Sequence, residues 1–131
     1  EEEGQRGCTR GALSGGQPPL RRMPVGEAIM DQSLDLVRAF RPHDGSASQE
    51  VRDSGAWGPG PRAAQALMLT VRARAMLQGR LAPDADDIAA MAGPVLRHRM
   101  ALSFAARASG QDLDTLISHT VTSLTKIEAA A

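Results

Sequence analysis

The chain has 131 residues with 15 basic and 15 acidic side chains, so its formal net charge is zero and no general basic field exists to hold nucleic acid. One cysteine excludes an internal disulfide and a cysteine-based zinc site, and no apolar run is long enough to span a membrane. Two Phe, one Trp and no Tyr leave Leu, Met, Val, Ile and Ala to build the core, so the expected class is all-α, a small bundle of about four to five helices with a flexible N-terminal segment.

Residues 1–22 mix charge, glycine and proline without a period and read as a linker or disordered tail, leaving residues 23–126 as the folded domain. Cys8, a candidate reactive thiol, lies in that tail. An acidic start without an initiator Met suggests a fragment, and the single cysteine together with the lack of a secretory signal suggests the cytoplasm. Gly11 to Gly16 has the glycine spacing of a phosphate-binding loop, but Gln17 and Pro18 stand where lysine and Ser/Thr are required.

From Pro24 to Phe40, Val25, Ile29, Leu36, Val37 and Phe40 recur at helical steps, with Pro24 in the first turn and Pro42 as the stop. His43 to Gly60 is polar and reads as a long surface loop, with at most a short helical turn near Gln49 to Asp53 and with Trp57 expected to pin it to the bundle. Pro61 starts the next helix, which runs to Gln78 and stops at Gly79. Ala64, Leu67, Met68, Val71 and Ala75 form one apolar stripe and Leu69, Ala73 and Met76 another, so this helix belongs at the buried centre.

Asp84 reads as the N-cap of a short helix that Gly93-Pro94 should break, followed by a further turn over Val95 to Met100. Leu102 and Phe104 are expected apolar anchors, and Asp112 to about Thr125 is the last amphipathic helix.

No metal-ligand spacing, no nucleophile beside a base and no paired carboxylates are present, and His43, His98 and His119 read as surface or hydrogen-bonding histidines. Alone, the chain is expected to catalyse nothing. Arg62 stands out because a cation at the second position of a helix opposes the dipole. It either meets an anion such as phosphate, which a guanidinium fork and a helix start both favour, or pairs with Asp53 or another nearby carboxylate.

Trp57-Gly58-Pro59-Gly60-Pro61-Arg62-Ala63, then Gln78-Gly79-Arg80 with Asp86-Asp87-Ile88, then Val95-Leu96-Arg97-His98-Arg99 resemble, in order and spacing, the C-terminal part of the MoxR-like AAA+ ATPases. Met23-Pro24-Val25 through Pro42 is similar to the helix that opens that family's lid domain, so the resemblance covers roughly Arg22 to Leu124. It implies that Arg62 is the sensor 2 arginine, which projects from the lid toward the ATP phosphates. Pro59 and Gly60 replace the small residue and serine common in the pattern, and Ala85 stands where proline is common. The resemblance leaves Arg97, His98 and Arg99 either facing a neighbouring subunit or the ATPase core, or forming a solvated edge beside Leu96 and Met100.

The chain has no Gly-x4-Gly-Lys-Ser/Thr loop and no strand ending in paired acids, so the nucleotide-binding core is expected upstream or in another chain. The resemblance then implies ATP and Mg2+ in the intact parent, with neither held tightly by this chain alone. It also implies a bacterial, ring-forming, chaperone-like remodeller that works with neighbouring subunits and with a von Willebrand factor A domain protein. Two other readings remain: a nucleic-acid-binding module with Asp84 to Met100 as a helix-turn-helix and Arg97 and Arg99 on phosphate, or a plain protein-interaction bundle.

Overall fold

Residues at successive turns of one long helix, Ala63, Leu67, Val71 and Ala75, are almost wholly removed from solvent, and the remaining elements are arranged around them. The computed structural model describes residues 10–130; Cys8 lies outside them. In chain order the elements are α1 (Arg10–Arg22), α2 (Glu27–Ala39), α3 (Gln49–Ser54), β1 (Gly55–Trp57), α4 (Pro61–Leu77), α5 (Ala85–Leu96), β2 (Ala101–Leu102), α6 (Phe104–Ala108) and α7 (Leu113–Ala130). The class is all-α. α4 is the central helix and packs against α2, α5 and α1, while α7 closes the bundle against α5 and α2.

Local chemistry accounts for most of the boundaries. Leu36, Val37 and Phe40 give α2 its buried face, and the buried Ser33 hydroxyl donates to the Ile29 carbonyl at 2.8 Å, so it costs the core no unmet hydrogen bond. α4 ends at Gly79, whose φ of +73° is the left-handed geometry that glycine adopts without penalty. Leu116 and Ile117 seat α7 on the core, and its start is capped by the Asp112 carboxylate, which accepts from the Thr115 amide at 3.1 Å.

Tertiary packing overrides the local reading in five places. Of the linker or tail expected over residues 1–22, residues 1–9 lie outside the described residues, and the part over Arg10–Arg22 forms α1. Its end, with Met23 and Pro24, lies against Met76, Gly79 and Leu81 around a cleft of about 600 Å3, and this docking supplies what the composition lacks. The Gly93-Pro94 pair does not break α5. An interior proline costs about 3 kcal/mol, but Val95 and Leu96 beyond it are buried at 6% and 0% exposure, each worth roughly 2 kcal/mol. With α5 continuous, Asp84 to Met100 contains no helix-turn-helix.

Trp57 is 54% exposed, so it is not the anchor of its loop; Ala47, Val51, Ser54 and Pro59 are buried there instead. Phe104 is 81% exposed as the first residue of α6, and Leu102 alone of that pair enters the core. Finally, the loop before α4 holds a strand. β1 pairs antiparallel with β2, Gly55 opposite Leu102 and Trp57 opposite Ala101, and the Ser103 amide donates to the Ser54 carbonyl at 2.7 Å. α3 is the short helical turn expected near Gln49 to Asp53, capped by the Ser48 hydroxyl.

Candidate functional site

The turn that delivers Arg62 is built against the C-terminal corner of α2. A Cβ on Gly55 would lie 2.6 Å from Pro42 Cγ and 2.7 Å from the Val51 carbonyl oxygen. One on Gly58 would overlap the Phe40 carbonyl oxygen and stand 2.8 Å from Arg41 Cα. Two glycines therefore allow the chain to lie directly on the Phe40-Arg41-Pro42 corner. Pro59 is then fully buried, and its carbonyl accepts a hydrogen bond from Arg41 Nε at 2.9 Å.

Gly60 is the N-cap of α4 and has no side chain to satisfy the first amides of the helix; Pro61 occupies the first position, where its missing N–H costs nothing. Arg62 follows, exposed, and among the described residues it forms no ion pair and no side-chain hydrogen bond. Asp53, its alternative partner, is instead held by Gln49 Nε2 at 2.7 Å. A cation at an uncapped helix start, with no carboxylate among the described residues to answer it, is suited to an oxyanion.

Beside this turn lies an open cleft of about 400 Å3, with Arg41, His43, Asp44, Trp57 and Pro59 in its lining. The Ser46 amide at 3.0 Å and hydroxyl at 2.8 Å hold the Asp44 carboxyl below its ordinary range. Alanine at Gly58 is expected to destabilise the domain by about 2 kcal/mol, because backbone atoms of Phe40 and Arg41 would have to shift. Gly60→Ala, with open space around its Cβ, is expected to stay within about 0.5 kcal/mol of the parent when both variants are compared by urea titration.

At the other end of α4, the Gln78-Gly79-Arg80 and Asp86-Asp87 residues form a structural clamp. Asp87 is buried, and its Oδ1 accepts from Arg74 Nη1 and Arg80 Nη2, each at 2.6 Å. Oδ2 accepts from Arg80 Nη1 at 2.7 Å and from the Asp84 amide at 2.8 Å, while the Asp84 carboxylate accepts from the Asp87 amide at 3.2 Å. The two acids thus make a reciprocal capping box for α5. The Arg80 hydrogen bonds, followed by those of the Asp84 amide and Arg74, hold the Asp87 carboxyl far below the usual carboxylate range despite its burial. The same bonding raises the pKa of Arg80.

No helical spacing pairs Arg74 with Asp87, which lies 13 residues away in the chain. The available signal was an acidic third position after an acidic cap, with arginines on both sides of the Gly79 stop.

The Arg97-His98-Arg99 run is bonded locally. Arg97 Nε donates to the Gly93 carbonyl at 3.1 Å and Nη2 lies 3.4 Å from Asp114 Oδ1; Arg99 Nη1 donates to the Val95 carbonyl at 3.2 Å. His98 is exposed. Arg97 and Arg99 fasten the C-terminal end of α5: their hydrogen bonds go to α5 carbonyls, and Arg97 adds an ion pair with Asp114 of α7. His43 is exposed as well, and His119 pairs with Glu50 at 3.3 Å on the surface. Among the described residues no three His, Cys, Asp or Glu side chains form a metal-binding group, and no helix is long and apolar enough to cross a membrane.

A family model described as the AAA lid domain matches residues 47–120, more than half of the chain. Among solved structures, a candidate ATPase from Cytophaga hutchinsonii is similar with a TM-score of 0.78 and 22% identity, over 86% of this chain and 34% of that one. At that identity the likeness is one of fold, and this chain spans about a third of that protein's length. A search of curated proteins gave no match.

Proposed function

The chain belongs to the AAA lid domain family, and from that premise we propose that it is the lid of a MoxR-like AAA+ ATPase in which Arg62 acts as the sensor 2 residue. An AAA lid works with an AAA+ core domain, and here the core lies outside the chain. The observation that carries the reading is Arg62 itself: an exposed guanidinium at an uncapped helix start, on a turn fixed by its neighbours, with no carboxylate partner among the described residues.

During phosphoryl transfer, negative charge spreads over the transferred group. A positioned arginine stabilises that charge without having to reorganise as it forms. The lid residues fit the phosphate end of a nucleotide only in part, since one arginine and one helix start offer little affinity alone. Among the described residues no three His, Cys, Asp or Glu side chains gather as a metal-binding group, and ATP and Mg2+ would be held mainly by the core, which supplies the phosphoryl-transfer chemistry. The contribution of Arg62 is to meet the phosphates when the lid closes on the core.

The same resemblance supports a ring-forming, chaperone-like cytoplasmic parent, with neighbouring subunits and a von Willebrand factor A domain protein as partners. The reading is tested by ATP turnover of the full-length protein: it fails if that protein hydrolyses no ATP, or if its hydrolysis does not depend on Arg62.

A further inference from the structure

The sensor 2 reading leaves open what keeps Arg62 aimed. Four features fasten the strand and turn ahead of it: the β1–β2 pairing, the Gly55 contact with Pro42, the Gly58 contact with the α2 corner, and the burial of Pro59. All four act at or before Pro59. Between Pro59 and the rigid start of α4 stands Gly60, with no side chain and nothing within 4 Å of where a Cβ would be. A glycine in open space is a loose joint. Core packing from Ala63 onward sets the axis of α4, and the Gly60 carbonyl accepts from the Ala63 amide at 3.0 Å, so the conformation at Gly60 bears on the first turn of the helix, where Arg62 stands.

One side chain restrains that joint. Arg41 Nε reaches back from the end of α2 and holds the Pro59 carbonyl at 2.9 Å, which fixes the peptide plane between Pro59 and Gly60. Arg41 itself is half-buried at the α2 corner, whose Phe40 is fully buried in the core. We infer that Arg41 is a positioning residue for Arg62: it pins the peptide ahead of the first turn of α4 to the α2 corner and so holds the direction of Arg62, and it does so without touching nucleotide. This inference rests on the sensor 2 reading and adds to it the residue through which lid position is passed to Arg62.

The experiment uses the full-length protein with Arg41→Met, Arg41→Lys, Arg62→Ala and the Arg41→Met/Arg62→Ala double change, with ATP as substrate. Arg41→Met keeps the aliphatic stem and removes the donor. Its expected effect is a fall of about tenfold in kcat, the cost of a modest misalignment, with KM for ATP and the melting temperature of the lid nearly unchanged. Arg41→Lys, which retains a donor, is expected to recover part of the loss. Because Arg41 acts through Arg62, the double variant is expected to be no slower than Arg62→Ala alone.

The positioning role is overturned if Arg41→Met has a normal kcat while Arg62→Ala does not, or if Arg41→Met slows the Arg62→Ala protein as much as it slows the parent. Normal turnover in Arg62→Ala overturns the sensor 2 reading and this inference together. Should Arg41→Met fail to fold, Arg41→Lys decides: a lowered kcat at an unchanged melting temperature supports the role, and an unchanged kcat ends it.

Discussion

Alanine at position 62 of the full-length protein is expected to lower ATP turnover about a hundredfold, the scale on which one preorganised donor to developing negative charge contributes. The folded lid should be unaffected, because Arg62 is exposed and holds no other group of the domain in place. The melting temperature of this chain is therefore the control, and it should not move. Lysine at the same position would return a charge but not the fork, so turnover should recover only in part. The loss should appear in kcat more than in KM if Arg62 contributes mainly as charge develops on the phosphoryl group, and in both equally if it only binds ground-state ATP. Turnover within twofold of the parent for Arg62→Ala would remove the arginine from the mechanism.

The second large effect is on stability. Asp87→Asn is expected to cost about 3 kcal/mol, because removing the charge leaves two guanidinium groups converging on a neutral amide at a buried point. Arg74 and Arg80 keep 30% and 31% side-chain exposure and are partly relieved by water, which keeps the loss from being larger. For a domain of this size the loss corresponds to roughly 10 °C in melting temperature.

The pH dependence has a definite sign. The folded Asp87 carboxyl titrates below its unfolded value, which lies near 4. Its contribution is therefore complete above about pH 4 and is lost as pH falls toward the folded value. In urea titrations from neutral to strongly acidic pH, the parent domain should weaken steeply below about pH 4 while Asp87→Asn follows a flatter course. Parallel curves would show that the clamp is not an ionised pair.

Much of the fold was legible because long amphipathic periods and punctuating residues agree. α2, α4 and α7 follow from apolar spacing, the end of α4 from Gly79, and the start of α5 from Asp84. The failures share a cause. α1 depends on docking against the far end of α4, α5 passes Pro94 because Val95 and Leu96 are buried beyond it, and two-residue β2 is too short to show alternation. None of these is a property of its own stretch of chain.

The site divides in the same way. Arg62 was visible as an electrostatic misfit in a recognisable turn. Arg41 and Arg74 were not, since each joins residues distant in sequence, Pro59 at 2.9 Å and Asp87 at 2.6 Å. Trp57 and Phe104 show the converse: an aromatic residue in an apolar-poor loop reads as core, yet both side chains face solvent.

The β1–β2 ladder also orders events in time. It joins Gly55 to Leu102, so the chain that makes α4 and α5 must be present and turned back before the strand that precedes the Arg62 turn finds its partner. Closing so long a loop is an entropic cost met late in folding, after the local helices are made. During synthesis, a chain that has emerged only as far as α5 holds the arginine but not the edge that steadies its approach. Pairing therefore waits until Leu102 has been made, and a chain stopped there would also lack Ala106, Leu116 and Ile117 from its core.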